Sequence, residues 1–163
     1  MKKLALALAF CSPVLAAENA PIYGTVDSKC VITMETPGIY GNPSPSLLST
    51  DPVNGGVEPI VRFDVLSAAY YKAVISYPEQ FSSSPSLSDV VNWTGVVTVN
   101  EVTDTQMSGY DAAKREFNNV TEYDLDFAGS TWFKIESEAN YGYDKSFPAG
   151  EYNSVVEAEC IAL

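Results

Sequence analysis

The chain has 163 residues, no histidine and a formal net charge of −12 at pH 7. The missing histidine removes the usual general base of serine and cysteine hydrolases and the commonest zinc ligand. An acidic balance of this size excludes electrostatic attraction to nucleic acid or to anionic lipid surfaces, and its plain reading is solubility outside the cell.

Residues 1–17 read as a secretory signal peptide. Lys2 and Lys3 form the basic start, Leu4 to Phe10 a short apolar run, and Pro13-Val14-Leu15-Ala16-Ala17 a small-residue cleavage region. The run is too short to cross a bilayer. Nothing later approaches the roughly 18 to 20 apolar residues of a membrane helix, so no membrane span is expected. Cys11 follows the bulky Phe10 rather than the small residue of a lipoprotein site, and it leaves with the signal. The Lys-Lys, Ala/Leu-rich style is bacterial, so the expected location is secreted, at the bacterial cell surface or outside it, with the periplasm in transit. Residues 18–163 form one expected domain, long enough for a real core. Losing Lys2 and Lys3 takes the net charge from −12 to −14.

Cys30 and Cys160 then remain, and two cysteines in an oxidising compartment are expected to pair. The loop they close holds 131 residues, counted from Cys30 to Cys160 inclusive.

Ile22 to Val26 and Lys29 to Met34 predict an early strand, with Ile32 and Met34 on the inward face of Cys30. Residues 36–59 hold five prolines and four glycines and read as a long loop, with a turn at Asn54-Gly55 and a short strand around Ser46-Leu47-Leu48. Ile60 to Val65 alternates, with Arg62 and Asp64 outward, and Ala69 to Tyr77 follows closely enough to predict a hairpin. Val90 to Val102 predicts a strand with a bulge at Gly95. Ser108 or Asp111 is placed to cap a helical turn over residues 112–117. Thr121 to Phe127 gives the cleanest alternation, with Tyr123, Leu125 and Phe127 inward. Thr131 to Ala139 is the next strand. The turn at Phe147-Pro148-Ala149-Gly150-Glu151-Tyr152 leads into a long final strand, read as central or near-central and tied to the first strand. Together these predict an all-β protein: a Greek-key β-sandwich of seven or eight strands with one disulfide.

No phosphate loop and no C-x-x-C pair is present. With 21 acidic residues some carboxylate pair is always available, so carboxylates carry no specific signal for glycoside hydrolysis. The expectation is a non-enzymatic protein without a cofactor. Glu122, Asp124 and Asp126 share one face, successive members about 7 Å apart. Calcium takes six to eight oxygens, so this row would need a loop partner such as Asp104 or Asp144, and a solvated face is the commoner outcome. Tyr40, Trp93, Tyr110, Tyr141 and Tyr143 are of the type that stacks on sugars, although core or edge placement is again commoner.

The signal peptide, the early Cys30, the Pro148-Ala149-Gly150-Glu151-Tyr152 turn and the final strand resemble exported pilin-like β-sandwich subunits of the archaic chaperone–usher and spore-coat-U-like fimbrial groups. The matching pieces cover about a quarter of the chain. The resemblance implies an incomplete immunoglobulin-like fold that receives a strand first from a periplasmic chaperone and then from the next subunit. The donor would be the mature N-terminal segment, with Ile22, Thr25 and Val26 as anchors. The implied function is a structural subunit of a surface filament (pilus or fimbria) or coat, polymerising with copies of itself through β-strand contacts. The alternative is a self-contained extracellular module that binds carbohydrate or calcium.

Overall fold

A computed structural model describes residues 21–24 and 30–163. Ten strands follow in order: β1 Cys30–Thr36, β2 Gly41–Ser44, β3 Leu47–Ser49, β4 Ile60–Val65, β5 Tyr71–Ser76, β6 Val91–Val102, β7 Arg115–Phe117, β8 Val120–Leu125, β9 Gly129–Tyr141 and β10 Glu157–Ala162. One helical turn, α1 (Tyr110–Ala113), precedes β7. The signal region, Cys11, Thr25 and Val26 lie outside the described residues.

The strands form two antiparallel sheets. One has the order β1-β4-β9-β6, and the other β10-β5-β8-β7. Strand β9 is long enough to take β4 along its first half and β3, with β2 beyond it, along its second half. Inward side chains alternate along the strands. Val61, Phe63 and Val65 of β4 face a common core with Tyr71, Ala73 and Ile75 of β5, Tyr123 and Leu125 of β8, and Phe133 and Ile135 of β9. Phe63 and Phe133 meet edge to face at 5.5 Å.

Connections explain the order. β4 runs into β5, β6 into β7 through α1, and β8 into β9, and each of these pairs places one strand in each sheet. The molecule is therefore built of ribbons that straddle the core, with matching rank in both sheets. β4/β5 is second, β9/β8 third and β6/β7 fourth. The first rank is β1/β10, the two ends of the chain, joined by the Cys30–Cys160 disulfide. Counting the seven longer strands in chain order, the sheets read first-second-sixth-fourth and seventh-third-fifth. The constant-type immunoglobulin order is first-second-fifth-fourth and third-sixth-seventh.

Several local expectations change. β4 and β5 are not a hairpin but face each other across the core; alternation with period two is the same for strands that pair and strands that face. The irregularity in β6 falls between Val99 and Glu101, while Gly95 stays in register opposite Ser137. A short helix over Thr105–Gly109, capped by Asp104 through the Gln106 N–H, leads into α1, and Arg115–Phe117 turns back as β7. Met34 stands in register opposite the buried Val61, on the expected face, yet is 55% exposed; the register of β1 shifts only beyond it, before Thr36. The final strand starts at Glu157 and is an edge strand, paired with β5 alone.

Candidate functional site

The turn that precedes the last strand does not join a sheet. Tyr152 Oη donates to the Pro148 carbonyl at 2.7 Å and closes the turn. Asn153 bonds the loop after β5 instead: its N–H donates to the Ser83 carbonyl at 2.9 Å, and its carbonyl accepts from Ser82 N–H at 2.8 Å. Beneath these bonds lies a cluster of rings. Phe81 meets Trp93 at 4.7 Å and Tyr152 at 5.1 Å, and Phe147 stacks on Tyr141 at 5.1 Å. Such ring pairs add roughly 0.5 to 1.5 kcal/mol each beyond area burial. The tail still alternates, with Tyr152, Ser154, Val156, Ala158 and Cys160 half-buried.

Diverting this segment away from β5 opens a groove of about 740 Å³ between it and the chain leaving β1. Its rim holds Met34, Ile39 and Val155, each more than half exposed. Tyr40 lines it, with its hydroxyl 2.7 Å from Ser154 Oγ and 3.3 Å from Ser137 Oγ. Among the described residues that line it, Glu151 is the only charged one. The size is that of a ligand pocket. Its apolar rim and neutral hydroxyls can hold a polypeptide segment or an uncharged ligand.

The residues singled out from sequence are dispersed. Cys30 and Cys160 are bonded, with Cα atoms 6.4 Å apart. Ile22 is 97% exposed. Glu122 accepts from Lys72 Nζ at 2.9 Å, and Asp124 accepts both arms of the Arg115 guanidinium at 2.7 and 3.0 Å. These partners hold both carboxyls below their ordinary range, through the hydrogen bond to Lys72 for Glu122 and to Arg115 for Asp124. Asp126 stands exposed beside them. Among the described residues no group of three or more acidic or cysteine side chains is arranged to hold a metal ion. Asp104 is spent as a helix cap and Asp144 lies on a turn. Tyr110 and Tyr141 are core residues, and Tyr143 is exposed.

One cluster carried no clear sequence signal. The Asp111 carboxylate accepts the Val99 N–H at 3.0 and 3.1 Å and lies 3.1 Å from Tyr123 Oη. Tyr123 Oη and Lys114 Nζ both reach the Val97 carbonyl, at 2.8 and 2.9 Å. Burial, followed by the Asp111 charge, pushes the Tyr123 hydroxyl far above its usual range, so it stays a proton donor. Asp111 thus serves as a clasp between α1, β6 and β8 rather than as a helix cap.

Comparison with protein-family models, with curated proteins and with solved structures gave no match.

Proposed function

We propose that this protein is a non-enzymatic, exported structural subunit of a bacterial surface filament or coat, whose copies assemble through β-strand contacts. The observation that carries the reading is the open groove beside the tail segment. Met34, Ile39 and Val155 offer apolar side chains there; Met34 pairs with β4 and Ile39 is bridged to Val57, but among the described residues the tail side, residues 150–156, makes no sheet pairing beyond the Ser83–Asn153 bridge. An extended segment laid in such a groove gains backbone bonds and side-chain burial together. The donor on this reading is the N-terminal segment with Ile22, Thr25 and Val26, and a periplasmic chaperone occupies the groove before assembly. Pilin-like β-sandwich subunits are the intended class, supported by two antiparallel sheets and an end-to-end disulfide, while the strand order departs from the immunoglobulin one.

The test is binding of a synthetic peptide covering residues 18–28 to the folded protein, read by amide shifts, together with electron microscopy of material shed from cells. Shifts confined to residues 34–40 and 150–156, with filaments in the micrographs, are expected. No binding and no assembled material would contradict the reading.

A second reading is a self-contained module that binds a neutral carbohydrate in the same groove, favoured by Tyr40 and the serine hydroxyls on its floor. A glycan array decides it: groove-dependent sugar binding supports it, and silence removes it.

A further inference from the structure

We infer that the free edge of β6 between Val91 and Gly95 is a self-association edge. It pairs antiparallel with the same segment of a second copy about a two-fold axis at Trp93. This goes beyond the groove, which lies on the β1 and tail side of the sandwich.

The geometry begins with β9. Its Ile135, Ser137 and Tyr141 spend their backbone groups on Pro59, Thr50 and Ser46, so Glu136, Glu138 and Asn140 face β6. Opposite them stand Val96, Thr94 and Asn92. In an antiparallel ladder the alternate residues point their N–H and C=O groups the other way. Val91, Trp93, Gly95, Val97 and Val99 therefore address the free edge. The last two are covered: Val97 C=O by Tyr123 and Lys114, and Val99 N–H by Asp111. The edge-facing groups of Val91, Trp93 and Gly95 make no hydrogen bond among the described residues. The clasp guards half of this edge and leaves a five-residue window.

Charge selects the occupant. Residues 90–100 contain no charged side chain. Three other edges do: Glu35 on β1, Glu157 and Glu159 on β10, and Arg115 and Glu116 on β7; the short β2 edge is uncharged but holds Pro43, which offers no N–H to a partner strand. Edge charges of this kind discourage strand addition. In a chain of net charge −12, the β6 window is an uncharged, proline-free edge that can meet its own copy without setting like charges opposite each other. Because α1 flanks Val97 and Val99, a partner strand stops at Gly95, which centres the pairing on Trp93. Val91 then lies opposite Gly95, and Asn92 opposite Thr94. Such an isologous contact closes on itself as a pair.

The test uses the full disulfide-bonded protein. In Asn92→Cys/Thr94→Cys, the two new thiols form a non-hydrogen-bonded cross-strand pair, about 4.5 to 5.5 Å apart at Cβ. A dimer that reverts on reduction is expected from the double variant and not from either single variant. Val91→Pro removes one edge donor per copy while leaving the β9 ladder untouched, and Thr94→Glu adds charge to the window. Each should raise the dimer dissociation constant roughly tenfold, with circular dichroism confirming an unchanged fold. A monomer in the double variant, or equal cross-linking in the single variants, overturns the inference. If wild-type protein assembles and both window variants assemble equally well, this edge is wrong while strand-mediated assembly stands.

Discussion

Cys30 and Cys160 join the outermost strands of the two sheets at the same rank, with Cα atoms 6.4 Å apart. Each other ribbon is held across the core by a stretch of chain; this one is held by a covalent bond between chain ends. The bond closes a 131-residue loop, which in the chain-entropy treatment is worth on the order of 4 to 5 kcal/mol. Replacing both cysteines by serine should lower unfolding free energy by about that amount in urea titration. Amide exchange should rise first in β1 and β10. An unchanged midpoint would mean that packing alone holds the terminal ribbon.

The Asp111 clasp is expected to be sensitive to small chemical changes. Asp111→Asn keeps the shape but weakens the bonds to Val99 N–H and Tyr123 Oη, at a cost of about 1 to 3 kcal/mol. Tyr123→Phe removes the hydroxyl and costs about 1 kcal/mol, since Lys114 still reaches the Val97 carbonyl. Thermal unfolding measures both, and fast exchange at the Val99 amide in Asp111→Asn distinguishes loss of the clasp from general loosening.

Gly95 is required by its neighbours. A Cβ there would lie 2.6 Å from the Tyr77 ring and 2.6 Å from the Glu136 carbonyl oxygen. Gly95→Ala should destabilise by about 1 to 3 kcal/mol through overpacking. A combined Gly95→Ala/Tyr77→Ala variant should recover only the part due to the ring, because the carbonyl contact remains. Full additivity in a double-mutant cycle would contradict the contact.

Acid should act on the face of β8. Glu122 and Asp124 titrate below their ordinary values of 4.5 and 3.8 in the folded chain, held down first by hydrogen bonds from Lys72 and Arg115 respectively. Their stabilisation is therefore full above those ordinary values and is lost as pH falls through the lower, folded ones. Glu136 runs the other way. Burial first, then Asp51, Glu138 and Glu58, raises it, so its charge costs stability once pH rises through the raised value. Lys72→Met should flatten the acid-side loss in urea midpoints, and Glu136→Gln should raise the midpoint at neutral pH. The opposite slopes would contradict these assignments.

Much of the inward pattern was legible in the residues. Val61, Phe63 and Val65, Tyr123 and Leu125, and the tail from Tyr152 to Cys160 alternate as their side chains require, and the two cysteines pair. Strand partners were not legible, since β4 and β5 carry the same period whether they pair or face. Nor was the groove, whose walls come from residues near 34–40 and 150–156. The tail left the sheet because Phe147 and Tyr152 found Phe81 across the loop, a contact that no local pattern encodes.

The most direct test of a self-assembling subunit is sedimentation velocity on the oxidised, full protein across a wide concentration range. The account predicts a boundary that moves from monomer to larger species with concentration, and a shift back toward monomer in Thr94→Glu. A single monomeric boundary at every concentration would contradict it.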